Sequence, residues 1–324
     1  MKKVRQADSN PFPYSDSNKR YYTYDYYLRK TYGEKCAKIS LDAGLSCPNI
    51  DGRCGYGGCI YCSPAGSGDF TQGASYSIRE QYEKQIKVMT AKWPCRLFIP
   101  YLQAHTNTYA PVGRLRKLYE ETLSLSGAVA LHIATRADCL PDDVLALLGE
   151  VAERIDLTVE LGLQSIHDST AKTIGRGHTY RDFCRGFAAL RSVSEKIRIA
   201  VHLINGLPNE DRAMMLESAI AVGELHPEQI KFHLLHVLKH TRMADLYLRG
   251  DYVPMSEEDY VCTLVRQLER IPPDIVIGRV TGDGAAEDLL APLWSLKKFC
   301  VMNHLDQMLY EEDTWQGKCL PTKD

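Results

Sequence analysis

The stretch from Cys47 to Cys62, CPNIDGRCGYGGCIYC, constrains this chain more than any other part of the sequence. Cys59 and Cys62 form a C-x-x-C pair, which places two sulfurs on one tight turn where both can bind a single metal centre. Four glycines lie shortly before this pair, so the backbone can fold closely around a bulky ligand. Cys47 adds a third thiol after a strand-like run over 37–41. This composition indicates a ligand-binding loop rather than a packing element.

The number of thiols bears on which metal the stretch could hold. Structural zinc takes four ligands in a closed tetrahedron, usually from two pairs of cysteines or histidines, and no second pair lies nearby. Cys54 could supply a fourth ligand and close such a site. Three thiolates suit a four-iron cluster that leaves one iron open for chemistry. Ligand chemistry therefore favours an iron–sulfur cluster, with zinc and reduced thiols without metal as the alternatives.

The segments CPN-x-DG and GGC-x-YC, which follow KISLDAG, resemble the radical S-adenosylmethionine (SAM) superfamily. They are most similar to the branch related to the Elongator catalytic subunit, of the YhcC/YtqA type. The resemblance implies that Cys47, Cys59 and Cys62 bind a [4Fe–4S] cluster and that SAM chelates its open iron. It also implies that Tyr61 lies near the adenine of SAM, and that an electron donor such as flavodoxin or ferredoxin reduces the cluster.

Length and composition describe an ordinary globular protein. The chain has 324 residues, 44% of them apolar and 25% charged, which suits one large domain or a domain with an extension. Its net charge of −2 gives the whole chain no general excess of positive charge for nucleic acid. The eleven cysteines are scattered outside the 47–62 stretch, which argues against a disulfide scaffold. We see no signal peptide and no apolar run of membrane-spanning length, so we expect a reducing, cytoplasmic location.

From residue 36 the chain alternates between strand-like and helical patterns, which predicts parallel strands joined by helices. Six units indicate an α/β fold, an open partial (β/α)6 barrel, and this is also the fold that the resemblance implies. We expect an N-terminal basic, tyrosine-rich segment over 1–35, the radical SAM partial barrel over 36–245 and a small C-terminal extension over 246–324. The predicted strands cover 36–41, 97–103, 129–135, 157–163, 197–204 and 229–237; the predicted helices cover 76–92, 111–124, 141–154, 180–193, 210–224 and 256–270.

Polar residues at the ends of strands two and three are candidate SAM contacts, because chemistry in parallel barrels lies at the carboxyl ends of strands. Gln103 follows strand two, where the resembled superfamily holds the amino group of SAM. Thr135 and Arg136 end strand three and are expected to face the cavity. Arg136 could clamp a carboxylate or phosphate with its guanidinium fork, or Asp138 could be its structural partner.

The next strands carry further candidates. Gln164 and Arg176 match, at the same spacing, a pattern of the oxygen-independent coproporphyrinogen oxidase branch. There the glutamine and arginine contact SAM, and the arginine faces its carboxylate. His202 stands where that branch has an acidic residue contacting SAM. Strand six carries Lys231 and His233, which could line an anionic substrate site or belong to a mixed core-and-surface strand.

The segment from Arg20 to Lys30 interleaves five tyrosines with basic residues. One interpretation is a capping helix whose tyrosines pack on the barrel. The other is a surface that stacks on RNA bases while the basic residues hold phosphates.

The resemblance implies radical SAM catalysis, with the C5 side chain of a tRNA wobble uridine as the expected substrate and tRNA as the expected partner. The reaction would remodel a carboxymethylaminomethyl group. The chain has no room for the acetyltransferase domain of the Elongator subunit, so we expect no chemistry that depends on acetyl-CoA. Two alternatives remain open: a radical SAM enzyme acting on a small molecule, and a non-catalytic RNA-binding protein that carries a metal or cluster.

Overall fold

The computed structural model describes residues 10–66, 71, 73–282 and 286–321. Seven parallel strands form one sheet that curves into a half-barrel, in the order β1-β2-β3-β4-β5-β6-β8, and two short strands pair separately. The predicted fold class is confirmed. The strands are β1 Cys36–Leu41, β2 Leu97–Leu102, β3 Ala130–Thr135, β4 Asp156–Gln164, β5 Ile197–Asn205, β6 Gln229–Leu234, β7 Val237–Leu238, β8 Val276–Arg279 and β9 Leu289–Ala291.

Helices connect the strands and cover the outer face of the sheet. Several begin at a capping side chain, such as Ser77 before α2 and Thr179 before α6, which satisfies amide groups that the first helical turn leaves free. The helices are α1 Tyr24–Tyr32, α2 Ile78–Lys92, α3 Val112–Leu123, α4 Asp142–Ala152, α5 Asp168–Thr173, α6 Tyr180–Val193, α7 Arg212–Leu225, α8 Arg242–Leu248, α9 Glu257–Leu268 and α10 Lys298–Glu311, with a 3-10 turn at Leu293–Leu296.

The two faces of the sheet differ in chemistry. On β4, Leu157, Val159 and Leu161 are fully buried in the main hydrophobic core beneath the helices. Side chains of a strand alternate between faces, so Thr158, Glu160 and the residues that follow at every second position point into the barrel. The outer face is therefore the apolar core, and the inner face is free to carry polar side chains.

The seventh strand comes from the region that the sequence assigned to the C-terminal extension. β8 pairs in parallel with β6 and lies at the edge of the sheet. The sequence pattern limits the predicted barrel to six strands. The short helix α5 and the antiparallel pair of β7 and β9 were not predicted.

Helix α1 closes the amino end of the half-barrel. Tyr24, Tyr27 and Tyr32 pack around Leu28 and the first residues of β1 and β3. The Tyr32 hydroxyl donates to Asp156 Oδ2 at the start of β4, with an oxygen–oxygen distance of 2.7 Å. This is the arrangement expected for a capping helix, at the opposite end from the cysteines. None of the helices in the described ranges could cross a membrane.

Candidate active site

The segment 47–62, called the cysteine loop below, follows β1 at the carboxyl edge of the sheet. Tight backbone hydrogen bonds shape it: the Ile50 amide donates to the Cys47 carbonyl at 2.8 Å, and the Cys62 amide donates to the Cys59 carbonyl at 3.1 Å. The second of these turns contains the C-x-x-C pair. The loop thus brings its thiols to the edge where parallel barrels carry their chemistry.

Asn49 fastens the cysteine loop to the segment that follows β4. Its Nδ2 donates to the carbonyl oxygens of Gly175 and Arg176, each at 2.8 Å, and lies 3.5 Å from Cys59 Sγ. A side chain at position 177 would collide with Asn49, because an added Cβ there would lie 2.3 Å from Asn49 Oδ1, so this close approach requires Gly177. Sequence analysis did not single out Asn49, although it is part of the CPN motif.

The Arg176 side chain is buried beneath the cysteine loop and donates hydrogen bonds to three carbonyl groups. Nη1 donates to the carbonyl oxygens of Leu163 and Ser165, both at 2.5 Å, while Nε and Nη2 donate to the His178 carbonyl at 3.0 and 2.9 Å. The side chain is 2% exposed. Its guanidinium thus donates to protein carbonyls and lies 3.7 Å from Asp168 Oδ1, and the predicted contact with the SAM carboxylate stays a prediction. Burial also lowers the pKa of the guanidinium.

Thr135 and Arg136 are likewise held by protein partners. Arg136 forms a two-pronged ion pair with Asp138, at 2.9 and 2.8 Å, and its Nη1 donates to the Arg176 carbonyl at 2.7 Å. Of the two roles predicted for Arg136, the structure supports the structural one. The Thr135 hydroxyl lies 2.5 Å from the Thr108 hydroxyl, which itself donates to the Cys139 carbonyl. Thr135 therefore ties β3 to the loop after β2 instead of facing an open cavity.

The three predicted cluster ligands lie on one loop but do not converge on a point. Within the described ranges, no three Cys, His, Asp or Glu side chains are grouped closely enough to hold a metal ion. Cys47, Cys59 and Cys62 are partly buried, whereas Cys54 is exposed and its sulfur lies 3.9 Å from Asp138 Oδ2. Burial raises the pKa of the Cys59 thiol, and the Arg136 charge opposes that shift.

The surroundings of the loop suit a bound iron–sulfur cluster and SAM. Three thiols without a closing fourth ligand are the donor set of a four-iron cluster with an open iron. Three buried polar atoms of described residues near the loop, Asn49 Oδ1, Asn107 Oδ1 and His178 Nε2, have no hydrogen-bond partner. Buried polar atoms are normally paired, so these are available to a bound polar group.

The remaining predicted SAM contacts lie around the loop. Tyr61 is partly buried beside Cys59, and loss of solvent around its hydroxyl raises the pKa of that group well above the usual value. The backbone amide of Gln103 extends the pairing of β2 with β1, because it donates to the Leu41 carbonyl at 3.3 Å. Gln164 ends β4 in the left-handed region, with φ 63°, and its side chain folds back over Gly162 on the inner face. The Gln164 side chain makes no hydrogen bond to the described residues, which leaves its side-chain amide available to a ligand.

A second feature of the barrel interior was not predicted as a unit. Each of the first six strands contributes one polar side chain to what we call the charged layer: Lys38, Tyr101, His132, Glu160, His202 and Lys231. Glu160 is fully buried at its centre. Lys38 Nζ lies 2.5 Å and His132 Nδ1 2.6 Å from its Oε1, while His202 Nε2 lies 2.9 Å from its Oε2, which also contacts Lys231 Nζ. His202 is thus hydrogen-bonded to Glu160, and its predicted contact with SAM stays a prediction.

Electrostatics in the charged layer follow from burial and from its two lysines. Burial opposes ionisation of Glu160, but Lys231 and Lys38 hold its pKa well below the usual value. Burial and the lysine charges lower the pKa of His132 to about 3 and that of His202 to about 4. Burial also lowers the pKa of Lys38 and Lys231. At neutral pH the layer therefore contains a carboxylate and neutral imidazoles.

We expect acid to destabilise the fold through this layer. Between pH 6.5 and 4 the unfolded chain protonates His132 and His202 while the folded chain does not, so the free energy of unfolding falls as pH falls. At pH 5 each histidine should contribute a loss of about 2 kcal/mol. Glu160 adds to the loss below its unfolded pKa of about 4.5. Urea unfolding at pH 7 and pH 5 measures the effect.

The matched variant is His202→Gln, which keeps a donor for Glu160 and removes one titrating group. Its free energy of unfolding should fall by about 2 kcal/mol less than that of the wild type over the same pH interval. An unchanged pH dependence would show that His202 is not held neutral in the fold.

Comparisons with known proteins agree on the family. The profile of the Radical SAM superfamily matches residues 49–219, and that of the Radical_SAM C-terminal domain matches residues 227–311. The uncharacterized protein YtqA of Bacillus subtilis (strain 168) is 46% identical over 310 residues and covers 96% of both chains. Protein YhcC of Escherichia coli (strain K12) is 36% identical over 294 residues, covering 90% of this chain and 93% of its own. The predicted resemblance is confirmed.

More distant matches connect the chain with Elongator-related proteins. The tRNA uridine(34) acetyltransferase of Methanocaldococcus jannaschii is 29% identical over 137 residues, which cover 41% of this chain and 24% of that enzyme. The solved structure of the archaeal Methanocaldococcus infernus Elp3 with an N-terminal deletion superposes with a TM-score of 0.65 at 16% identity. That superposition covers 87% of this chain and 64% of the archaeal one, and it shows a shared fold.

Proposed function

The chain belongs to the radical SAM superfamily, and on that premise we propose that it is a radical SAM enzyme acting on the C5 side chain of a tRNA wobble uridine. Members of the superfamily bind a [4Fe–4S] cluster and SAM. When bound, the cluster and SAM supply one-electron cleavage of SAM, which yields a 5′-deoxyadenosyl radical able to abstract a hydrogen atom. The protein's task is to hold and orient these groups.

We assign the cluster to Cys47, Cys59 and Cys62. Asn49 and Arg176 position the loop that carries them, since they link it to the end of β4 through buried hydrogen bonds. Arg136 adds a positive charge beside Cys59, which favours thiolate ligands.

For SAM we retain the three predicted residues whose side chains are not committed to other elements. Gln164 offers its amide on the inner face, and Tyr61 offers a partly buried ring beside the cluster ligands for the adenine. Gln103 stands at the end of β2, where the superfamily holds the SAM amino group. A donor such as flavodoxin or ferredoxin would supply the electron, and the eleven free cysteines suit the cytoplasm.

The observation that carries the uridine assignment is the match to an enzyme whose name states that it acts on tRNA uridine 34. Because this chain matches only 24% of that enzyme, we do not extend acetyl transfer to it. The deciding test is nucleoside analysis of tRNA from a strain lacking the gene. Altered wobble uridines are expected. Unchanged uridines, with no tRNA binding by the purified protein at low salt, would refute the assignment.

The cysteine loop presents a surface suited to bases and phosphates. Tyr56 is 81% exposed, and Arg53 lies over the ring of Tyr109, with 5.7 Å from its Cζ to the ring centre. Stacking of a base on an aromatic ring contributes about 1–3 kcal/mol, so Tyr56→Ala should weaken tRNA binding about tenfold. Fluorescence anisotropy with labelled tRNA at low salt measures the change.

The control for Tyr56→Ala is Trp93→Ala. Trp93 is 45% exposed and pairs with Lys35, but it lies just before β2, at the amino edge. This variant should bind tRNA like the wild type, and both variants should cleave SAM normally without substrate. Equal losses of tRNA affinity in the two variants would show that exposed aromatic rings contribute to tRNA binding wherever they lie on the surface.

A radical SAM enzyme with a small-molecule substrate is the second candidate. The charged layer favours this candidate, because a buried layer with two lysines is suited to binding a small anion. A non-catalytic RNA-binding protein is the third. SAM cleavage by the cluster-loaded protein separates the third candidate from the first two.

A further inference from the structure

The space above the charged layer is open. Ser40, Ala134 and Gly162 stand two residues beyond Lys38, His132 and Glu160 on the same inner face. All three are partly exposed, although the outward-facing neighbours Ile133 and Leu161 are fully buried. The small side chains of Ser40 and Ala134 leave room between the layer and the cysteine loop, beside the Gln164 side chain, which lies over Gly162. The layer is therefore the floor of a cavity and not part of a closed core.

The floor carries more positive than negative charge. Lys38 and Lys231 share a single carboxylate, that of Glu160, and the two histidines can donate to it while neutral. Two ammonium groups on one carboxylate leave one positive charge in excess, and the nearby guanidinium of Arg279 on β8 adds another. An unbalanced charge in a low-dielectric interior is costly, so the layer either loses a proton or gains an anion.

Access to the floor is selective. The Lys38 and His202 side chains remain 23% and 18% exposed, while Glu160 is not exposed at all. A molecule entering from the cysteine loop would thus meet the ammonium and imidazole groups and be screened from the carboxylate. The ammonium groups attract negative charge and donate hydrogen bonds, whereas the single N–H of neutral His202 is already used on Glu160.

We propose that Lys38 and Lys231 of this floor bind a carboxylate group of the substrate. A phosphate of an RNA backbone is a poorer fit, because the whole strand would have to pass the cysteine loop to reach the inner face of the sheet. A carboxylate at the end of a side chain reaches the floor on its own. It could belong to the C5 substituent of a uridine or to a free small acid. The first source rests on the proposed function, and the second does not.

The test uses cluster-loaded protein saturated with SAM and kept oxidised, so that the open iron is occupied and no turnover occurs. Isothermal titration is carried out with sodium acetate, with 5-carboxymethylaminomethyluridine and with uridine. The wild type should bind acetate, and Lys38→Met should weaken that binding about tenfold or more, as expected for loss of a charged hydrogen bond. Lys196→Met, which removes an exposed lysine paired with Glu153, should bind acetate like the wild type.

A second variant keeps the test decisive if Lys38→Met does not fold. Ser40→Leu retains every charge and fills the space above Lys38, so it should also abolish acetate binding. Absence of acetate binding to the wild type, or undiminished binding in folded Lys38→Met or Ser40→Leu, would overturn the carboxylate site.

The nucleosides separate the two sources. Tighter binding of the carboxylate-bearing uridine than of uridine, lost in Lys38→Met, supports both the site and the uridine substrate. Binding of acetate that depends on Lys38, without any preference for the modified uridine, supports the site and counts against the tRNA function.

Discussion

Replacing Cys59 with alanine is expected to abolish the iron–sulfur cluster and, with it, all cleavage of SAM. The same loss is expected for Cys47→Ala and Cys62→Ala, because a four-iron cluster with an open iron has no spare thiolate. After anaerobic reconstitution, the wild type should hold about four iron atoms per chain and each variant far fewer. Iron analysis, the visible absorbance of the cluster and 5′-deoxyadenosine formation with a chemical reductant measure the outcome.

Cys54→Ala is the matched control, because it removes a thiol from the same loop. Cys54 is exposed, and its sulfur lies towards Asp138. This variant should keep its cluster and its SAM cleavage. Equal loss of iron in Cys54→Ala would indicate a closed site with four thiolates, and the open-iron assignment would then be abandoned.

The strands could be predicted from sequence because each has its own local signature. β4 alternates buried leucine and valine with polar or small residues, and its predicted span of 157–163 differs from the observed Asp156–Gln164 by one residue at each end. β8 has four residues, and its pairing with β6 depends on contacts between distant parts of the chain. Sequence alone therefore gave no reason to place it in the barrel.

The charged layer illustrates what a pattern of alternation leaves undetermined. Alternation shows that Glu160 faces inward, but it does not show which side chains Glu160 meets. Glu160 is paired with Ala134 and Ala200, and it contacts His132 and His202 because the strands are staggered around the barrel. His202 stands opposite Lys231, and Tyr101 opposite His132, because neighbouring parallel strands are paired at those residues. Register depends on the packed sheet as a whole, so His202 and Lys231 appeared in the sequence as separate candidates.

The hydrogen-bond partners of Arg176 could not have been predicted from its motif. An arginine two residues before a histidine, shortly after α5, is compatible with binding a ligand or with binding the backbone. Its actual partners are carbonyl groups, which every residue has and no sequence pattern reveals. The local turn gives one clue: Gly175 and Gly177 on either side adopt positive φ, which bends the segment around the guanidinium.

The second large effect is expected for Arg176→Met. The substitution leaves the buried carbonyl oxygens of Ser165 and His178 without their donor, while the Leu163 carbonyl keeps only the Ser165 amide. Each unsatisfied buried acceptor costs about 1–3 kcal/mol, so the free energy of unfolding should fall by about 3 kcal/mol or more. Cluster loading should fall with it, because the Arg176 carbonyl accepts hydrogen bonds from Asn49 and Arg136. Urea unfolding and iron analysis measure the two effects.

Arg185→Met controls for the chemistry of the substitution, since the Arg185 side chain is 73% exposed. We expect a change within about 0.5 kcal/mol there, as for most surface positions.

Gln164→Asn supplies the converse case. Asparagine tolerates the left-handed backbone but is one methylene shorter, so this variant should keep its stability and lose SAM affinity about tenfold, measured by equilibrium dialysis. Comparing Arg176→Met with Gln164→Asn therefore distinguishes a residue that supports the cysteine loop from a residue that contacts SAM. If Arg176→Met instead unfolds like the wild type and loses only SAM binding, its guanidinium contacts SAM directly, and the support of the cysteine loop must come from Asn49 and Arg136.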